Sequence, residues 1–364
     1  MSIQHVKLAK RLLAGACTVA ATVALAACGS PAAPSASAPP AGSDTPAASA
    51  PTGQIVVGLI TKTETNPFFV KMRQGATEEA DKLGVKLMTG AGAKDGDNEG
   101  QVTAIQNMVA AGAKGILITP NDSKGIVPTI QAARDKGVVV IALDTALDPA
   151  DASDALFATN NFQAGVLIGQ WAAKAMAGKN LVIATLDGEP GVTVSAQRHN
   201  GFLTGMGLAT GLTETQTDLG QAKEVVCSGD SNGDQTLGQT VMENCLAKNP
   251  NINLVYTINE PSGFGAQTAL KNAGKDKDVT IVTVDGSCKG VQGVKDGVFA
   301  ANSMQYPLKM ASMGVQAIVD AVKGGKKPSG YTDTGVTLIT DKAQTGLDSK
   351  DSAFGASNCW GTVS

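Results

Sequence analysis

Charge is scarce in this chain. Asp, Glu, Lys and Arg make up 17% of its 364 residues, where about a quarter is usual. The formal net charge of −3 leaves no basic excess to neutralise phosphates, which argues against a nucleic-acid partner. Aromatics are sparse at 4%, against 43 glycines. That balance argues against a β-sandwich stacked on rings and suits an α/β chain with many tight turns. Histidines are few and no C-x2-C pair occurs, so no metal centre is expected. Also missing are a G-x-x-x-x-G-K-[ST] phosphate loop and a G-x-S-x-G nucleophile turn. The chain is therefore expected to be no enzyme and to need no cofactor.

Some features imitate chemistry without completing it. Gly205, Gly207 and Gly211 fall inside a predicted helix, not after a strand, and read as close helix packing. The acidic stretches Asp95–Glu99 and Asp230–Asp234 lack the glycine and glutamate spacing of a calcium loop and read as solvated turns. His199 reads as a helix-surface residue and not a general base.

The length implies two domains, and a hydrophobic content of 43% is enough for a sizeable core. Lys7, Lys10 and Arg11 precede an apolar run from Leu12 to Ala27. The run is shorter than the ~20 residues that span a bilayer, so residues 1–27 read as a secretory signal. It ends in Leu25-Ala26-Ala27-Cys28-Gly29, which resembles a bacterial lipobox, with Cys28 as the lipid anchor. Residues 28–53 are rich in Pro, Ala and Ser without apolar periodicity, as in a disordered tether. The expected location is extracytoplasmic, on the outer face of the cell membrane.

Beyond Cys17 and Cys28 the cysteines are Cys227, Cys245, Cys288 and Cys359. An even number in an exported chain favours two disulfides, with three possible pairings. Cys227–Cys245 with Cys288–Cys359 is the favoured one. The first would tie a strand end to the following helix, and the second would staple the C-terminal tail to a loop.

From Gln54 onward, short β-rich runs alternate with amphipathic stretches. The predicted strands are 55–61, 85–89, 115–119, 138–143, 181–186, 254–258 and 279–284. Several are continuously apolar, as in strands buried on both faces of a parallel sheet. Predicted helices cover 68–83, 101–111, 123–135, 162–177, 192–209, 234–248, 263–273 and 306–323. The fold class is α/β, doubly wound, with the strands divided between two sheets. Ligands of such sheets bind at the carboxyl ends of the strands. There the sequence places Thr61, Lys62, Asn66, Asn121, Asp122, Asp144, Asp187, Asn259, Glu260 and Asp285. Converging in one cleft, these groups would suit a ligand rich in hydroxyls; separately, each could cap the helix that follows. Asn66-Pro67 reads as N-cap and first residue of a helix. Phe68 and Phe69 cannot both occupy one core stripe, so one is expected to line the cleft, where a ring can stack on a sugar face.

The stretches NPFFVKMRQGATEEADKLGVKL, TPNDSKGI, VIALDTAL, FATNNFQAG, QRHNGF, TINE, TVDGSCKGV and SMQYPL occur in the order seen in a known family. From Gln54 to the C-terminus the chain resembles the ribose-type sugar-binding proteins of ABC importers, especially their fructose-binding subgroup. The resemblance implies a periplasmic binding protein of type I: two lobes joined by a three-segment hinge. It places the N-terminal lobe at 54–159 with 306–334 and the C-terminal lobe at 160–305 with 335–364. It implies Asn66 as a hydroxyl ligand and Phe68 and Phe69 as a stacking pair. Asp144 and Arg198 would be the carboxylate and guanidinium clamps, and Asn259, Asp285 and Gln305 the C-lobe and hinge ligands. Its partners would be a monosaccharide and a membrane ABC permease, with membrane contact through the lipid anchor. The binding protein itself is expected to be a monomer.

The chain departs from the ribose pattern in two places. Thr145 follows Asp144 where ribose binders often carry a second Arg, and no aromatic stands near Gly233. Lys62 and Glu260 are expected to fill part of that space, which points to a larger or differently hydroxylated sugar such as fructose. A repressor of related fold would need a basic helix-turn-helix ahead of Ile55, and residues 29–53 carry no Lys or Arg. A sugar sensor docking on a chemoreceptor or receptor kinase is the alternative.

Overall fold

The computed structural model describes residues 53–363. The expected signal peptide, Cys28 and nearly all of the tether lie outside the described residues. From the N-terminal side the elements are β1 (Val56–Thr61), α1 (Pro67–Leu83), β2 (Lys86–Ala91), α2 (Asn98–Ala110), β3 (Gly115–Ile118), α3 (Val127–Asp135), β4 (Val139–Leu143) and β5 (Ala155–Ala158). Next come α4 (Asn161–Ala175), β6 (Ile183–Asp187), α5 (Thr193–Gly205), β7 (Val225–Asp230), α6 (Gln235–Lys248), β8 (Leu254–Thr257), α7 (Glu260–Asn272), β9 (Thr280–Asp285), α8 (Cys288–Lys295) and β10 (Ala301–Met304). The chain ends with α9 (Pro307–Val322), β11 (Gly330–Asp333), β12 (Thr337–Ile339) and α10 (Ser352–Asn358).

Two sheets form. The first has the order β11-β5-β4-β3-β1-β2 and is parallel throughout. The second has the order β12-β10-β9-β8-β6-β7, with only β12 antiparallel. The central strands are buried on both faces because successive side chains point to opposite sides. In the first sheet Val57, Leu59, Leu117, Ile141 and Leu143 meet α1 and α9, while Val56, Ile60, Ile116, Ile118 and Val140 meet α2 and α3. In the second, Leu186, Val255 and Ile281 face α6, α7 and α8, and Ile183, Leu254, Tyr256 and Val282 face α4 and α5. The chain passes between the sheets after β5, after β10 and after β11.

The segments β5, β7, β10, β11 and β12 were not among the predicted strands. They are short or polar; β7, β11 and β12 lie at sheet edges, and β10 buries Asn302 and Ser303 against Glu260 and the Ala164 carbonyl. The glycine reading also needs correction. Gly205 lies at a close helix contact, where a Cβ would come within 2.3 Å of the Val166 carbonyl oxygen. Gly207 and Gly211 instead lie past the end of α5 in left-handed turns, at φ of 71° and 78°. Cys227–Cys245 joins β7 to α6, and Cys288–Cys359 joins α8 to the tail beyond α10.

Candidate binding cleft

The carboxyl ends of both sheets face a shared cleft. Its inner part is a cavity of about 50 Å³ lined by Lys62, Asn66, Phe68, Phe69, Asp144, Arg198, Asn259, Asp285 and Gln305. At ~10–15 Å³ for each water-sized group, this space suits an occupant no larger than a single sugar ring. Each element delivers its residue for a local reason. Asn66 caps α1, its Oδ1 accepting from the Phe68 amide at 3.0 Å, with Pro67 as the first helical residue. Asn259 caps α7 in the same way and donates from Nδ2 to the Gly233 carbonyl. Capping and facing the cleft are thus not alternatives here. Asp144 follows β4 with φ 61°, a left-handed conformation that turns its side chain out of the sheet register.

At the centre is Arg198, 4% exposed. Its Nε donates to Asn161 Oδ1 at 2.8 Å and its Nη1 to the Ile258 carbonyl at 2.9 Å. Its Nη2 lies 3.6 Å from Asp144 Oδ1, and its Nη1 lies 4.0 Å from Asp285 Oδ1. Gln305 Nε2 donates to Asp285 Oδ1, and the Glu260 amide donates to Asp285 Oδ2. Burial pushes the Asp285 carboxyl well up, and the nearby Glu260 charge adds to this. Burial also holds the Lys62 ammonium below the ordinary lysine range, against the pull of Asp144 and Asp95.

Several buried acceptors on this cavity have no hydrogen-bond donor among the described residues: Asp144 Oδ1, Glu189 Oε2, Asn232 Oδ1 and Gln305 Oε1. An unmet buried acceptor costs about 1–3 kcal/mol. Arg198 and Lys62 supply donors beside them. The cavity thus offers both halves of a hydroxyl's bonding, donors and acceptors, inside an apolar frame made partly by two phenylalanines.

Both phenylalanines line the cavity; the helix pattern alone pointed to one of them, the family resemblance to both. Their rings meet edge to face at 5.5 Å and 82°, and both also belong to the apolar cluster under α1. The start of α1 sits at the cavity rim, so two directions around the helix axis are enclosed. Glu260 stands on the outer cleft. Its carboxylate accepts from the Gly286 and Ser287 amides, the Ser287 hydroxyl and Asn302 Nδ2. It braces the loop after β9 and does not line the inner cavity; burial pushes it up to about 7 despite those bonds.

Residues 57–327 match the family described as the periplasmic binding protein domain. The chain belongs to that family. The ribose import binding protein RbsB of Salmonella typhimurium is 31% identical over 277 residues, covering 76% of this chain and 87% of that protein. The D-allose-binding periplasmic protein of Escherichia coli is 30% identical, covering 74% of this chain and 85% of that protein. A crystal structure of a periplasmic solute binding protein from Actinobacillus succinogenes with bound D-allose aligns with a TM-score of 0.68 at 29% identity. It covers 79% of this chain and 98% of that one. All three are named as binding proteins, the first of an import system and the third of an ABC transporter, and none of them supports the sensor alternative.

Other strand-end residues of this periplasmic binding protein turn away from the cleft. Asp187 points inward, accepting from Thr185 Oγ1 at 2.8 Å and facing His199 Nδ1 at 2.7 Å. His199 is therefore not on a helix surface but 2% exposed, with Nε2 facing the Gly220 carbonyl at 3.0 Å. Asn121 holds the Lys62 and Asp97 carbonyls and the Gly96 amide, bracing the loop that carries Asp95.

Sequence reasoning passed over Asn161, Asp95, Glu189 and Asn232. Asn161 joins the two clamps: besides accepting from Arg198, it donates to the Asp144 main-chain carbonyl at 2.8 Å. Its position in the FATNNFQAG stretch was the available signal. Asp95, read as part of a solvated turn, is on the cavity wall with Glu189 from the other lobe. Burial pushes its carboxyl up to about 6, with Lys62 opposing and Glu189 and Asp234 adding.

Proposed function

We propose that this binding protein captures one fructose- or ribose-like monosaccharide in the inner cavity and hands it to a membrane permease of the ABC type. The observation that carries this reading is the set of donorless buried acceptors beside Arg198 and Lys62. Sugar hydroxyls can donate to Asp144, Asn232 and Gln305 while their oxygens accept from the guanidinium and the amine. Phe68 and Phe69 cover the apolar C–H face of the ring. The relatives named for ribose and allose support the ligand class.

In this reading the N-lobe comprises 54–159 with 306–334 and the C-lobe 160–305 with 335–364, hinged at the three crossings. Closure brings Asp144 of one lobe to Arg198 of the other. The protein works as a monomer held to the membrane through lipidated Cys28. A thermal-shift screen against monosaccharides, sugar alcohols and sugar phosphates tests the class, because specific binding raises the melting temperature by mass action. A neutral monosaccharide is the expected hit; a response to phosphorylated sugars alone rejects the reading. Mass spectrometry of the mature N-terminus tests the anchor, and an unmodified residue 28 rejects it.

A further inference from the structure

The tail beyond α10 is bound covalently to one lobe and buries its Trp360 side chain against the other. Cys359 is bridged to Cys288 at the start of α8, and the Cys288 amide donates to the Trp360 carbonyl at 2.9 Å. Both contacts fix the tail to the second sheet's lobe. The Trp360 indole points the other way. It is 5% exposed and belongs to the apolar cluster of α1, α9 and the first sheet. Its ring meets Phe68 edge to face at 5.5 Å and 75°. Its Nε1 donates to the Gln305 carbonyl at 3.1 Å. Trp360 is not on the wall of the inner cavity; it stands behind Phe68, in the outer cleft of about 880 Å³.

We infer that Trp360 is a positioning residue, which the Cys288–Cys359 bridge holds across the lobe junction as a fourth connection, fixing the Phe68 ring and the Gln305 backbone for the bound sugar. The inference rests on the proposed sugar reading for its ligand, and on the tail geometry alone for the strap. Three crossings join the lobes through the main chain. This one joins them through a side chain, so it can separate when the lobes part and re-form when they close. An edge-to-face ring pair adds attraction beyond area burial, which favours the arrangement in which the lobes are together.

Trp171 and Trp360 are the two tryptophans of the chain. Trp171 is a buried residue of α4 with its Nε1 on the Lys342 carbonyl, away from the cleft. Trp171→Phe therefore leaves Trp360 as the sole tryptophan, read by excitation that spares tyrosine. In that protein, D-fructose, D-ribose and D-allose are each titrated while emission is followed, with calorimetry in parallel. The sugar that binds is expected to shift Trp360 emission at the calorimetric midpoint. In the otherwise native chain, Trp360→Ala is expected to weaken that sugar about tenfold. Trp360→Phe, which keeps the ring, should recover most of the loss. Cys288→Ser with Cys359→Ser should weaken binding in step and open Trp360 to acrylamide quenching.

Circular dichroism establishes that each variant is folded. Binding without an emission change, or native affinity in both Trp360→Ala and the double serine variant, overturns the inference. Should none of the sugars bind the native protein, the sugar reading fails and quenching decides the strap. A Trp360 equally protected with and without the bridge then overturns it, and greater quenching without the bridge supports it.

Discussion

Arg198 Nη2 and Asp144 Oδ1 stand 3.6 Å apart, one on the helix after β6 and the other at the tip of β4 in the opposite sheet. The pair is buried on both sides. Arg198 cannot be replaced by a generic cation, because Nε and Nη1 are already held by Asn161 and the Ile258 carbonyl. Its direction is fixed by its planar fork.

Arg198→Lys is accordingly expected to weaken sugar binding by tenfold or more although charge is kept. Asn161→Ala, which touches no ligand in the proposed reading, should cost about tenfold by leaving the Arg198 Nε unpaired at ~1–3 kcal/mol. Calorimetry measures both. Native affinity in Asn161→Ala would show that Arg198 does not depend on this brace.

Binding should also depend on pH through Asp95. Its carboxyl is raised to about 6 by burial, with Glu189 and Asp234 adding and Lys62 opposing. A raised carboxyl disfavours the ionised form in the closed state. Closure is therefore hindered above pH 6, and the hindrance fades as pH falls through 6 towards the ordinary aspartate range. Taking an ordinary value for the open form, affinity should rise about tenfold from pH 7 to pH 5. Asp95→Asn should flatten that profile, and an unchanged slope in the variant would remove Asp95 as its source.

His199 gives the fold itself a pH dependence of the same direction. Both ring nitrogens face acceptors. Burial opposes its charge, but the Asp187 carboxylate and the Gly220 carbonyl outweigh this and raise its pKa above 6.5. The stabilisation is fully present below 6.5 and is lost as pH rises through the raised value. Thermal melts should show the native protein losing more stability than His199→Gln between pH 6 and pH 9. Parallel losses would place the titration elsewhere.

The two-lobed α/β class was legible because short apolar runs such as VVVIAL and LVIATL, as in strands buried on both faces, alternate with longer amphipathic stretches. Short polar strands such as GYTD at an edge and ANSM inside the second sheet were not, since what holds them is a neighbour rather than their own pattern. In the cleft, the sequence locates polar residues at strand ends but not the direction each takes. Asp144 follows β4 and Asp187 ends β6, both at carboxyl ends of strands, yet one faces the cavity and the other pairs with His199. Glu260 was expected to fill space beside the sugar, but Ser287 and Asn302 hold its carboxylate at the loop after β9, on the outer cleft and off the inner cavity. Trp360 gave no signal because its partner Phe68 lies at the far end of the chain.

Isothermal titration of the native protein and of Asp144→Ala with D-fructose, D-ribose and D-allose tests the central claim most directly. The account predicts saturable one-to-one binding of at least one of these sugars. It also predicts a folded variant weakened at least ~30-fold, from about 2 kcal/mol for a lost charged hydrogen bond. Equal affinity in the two proteins would contradict it.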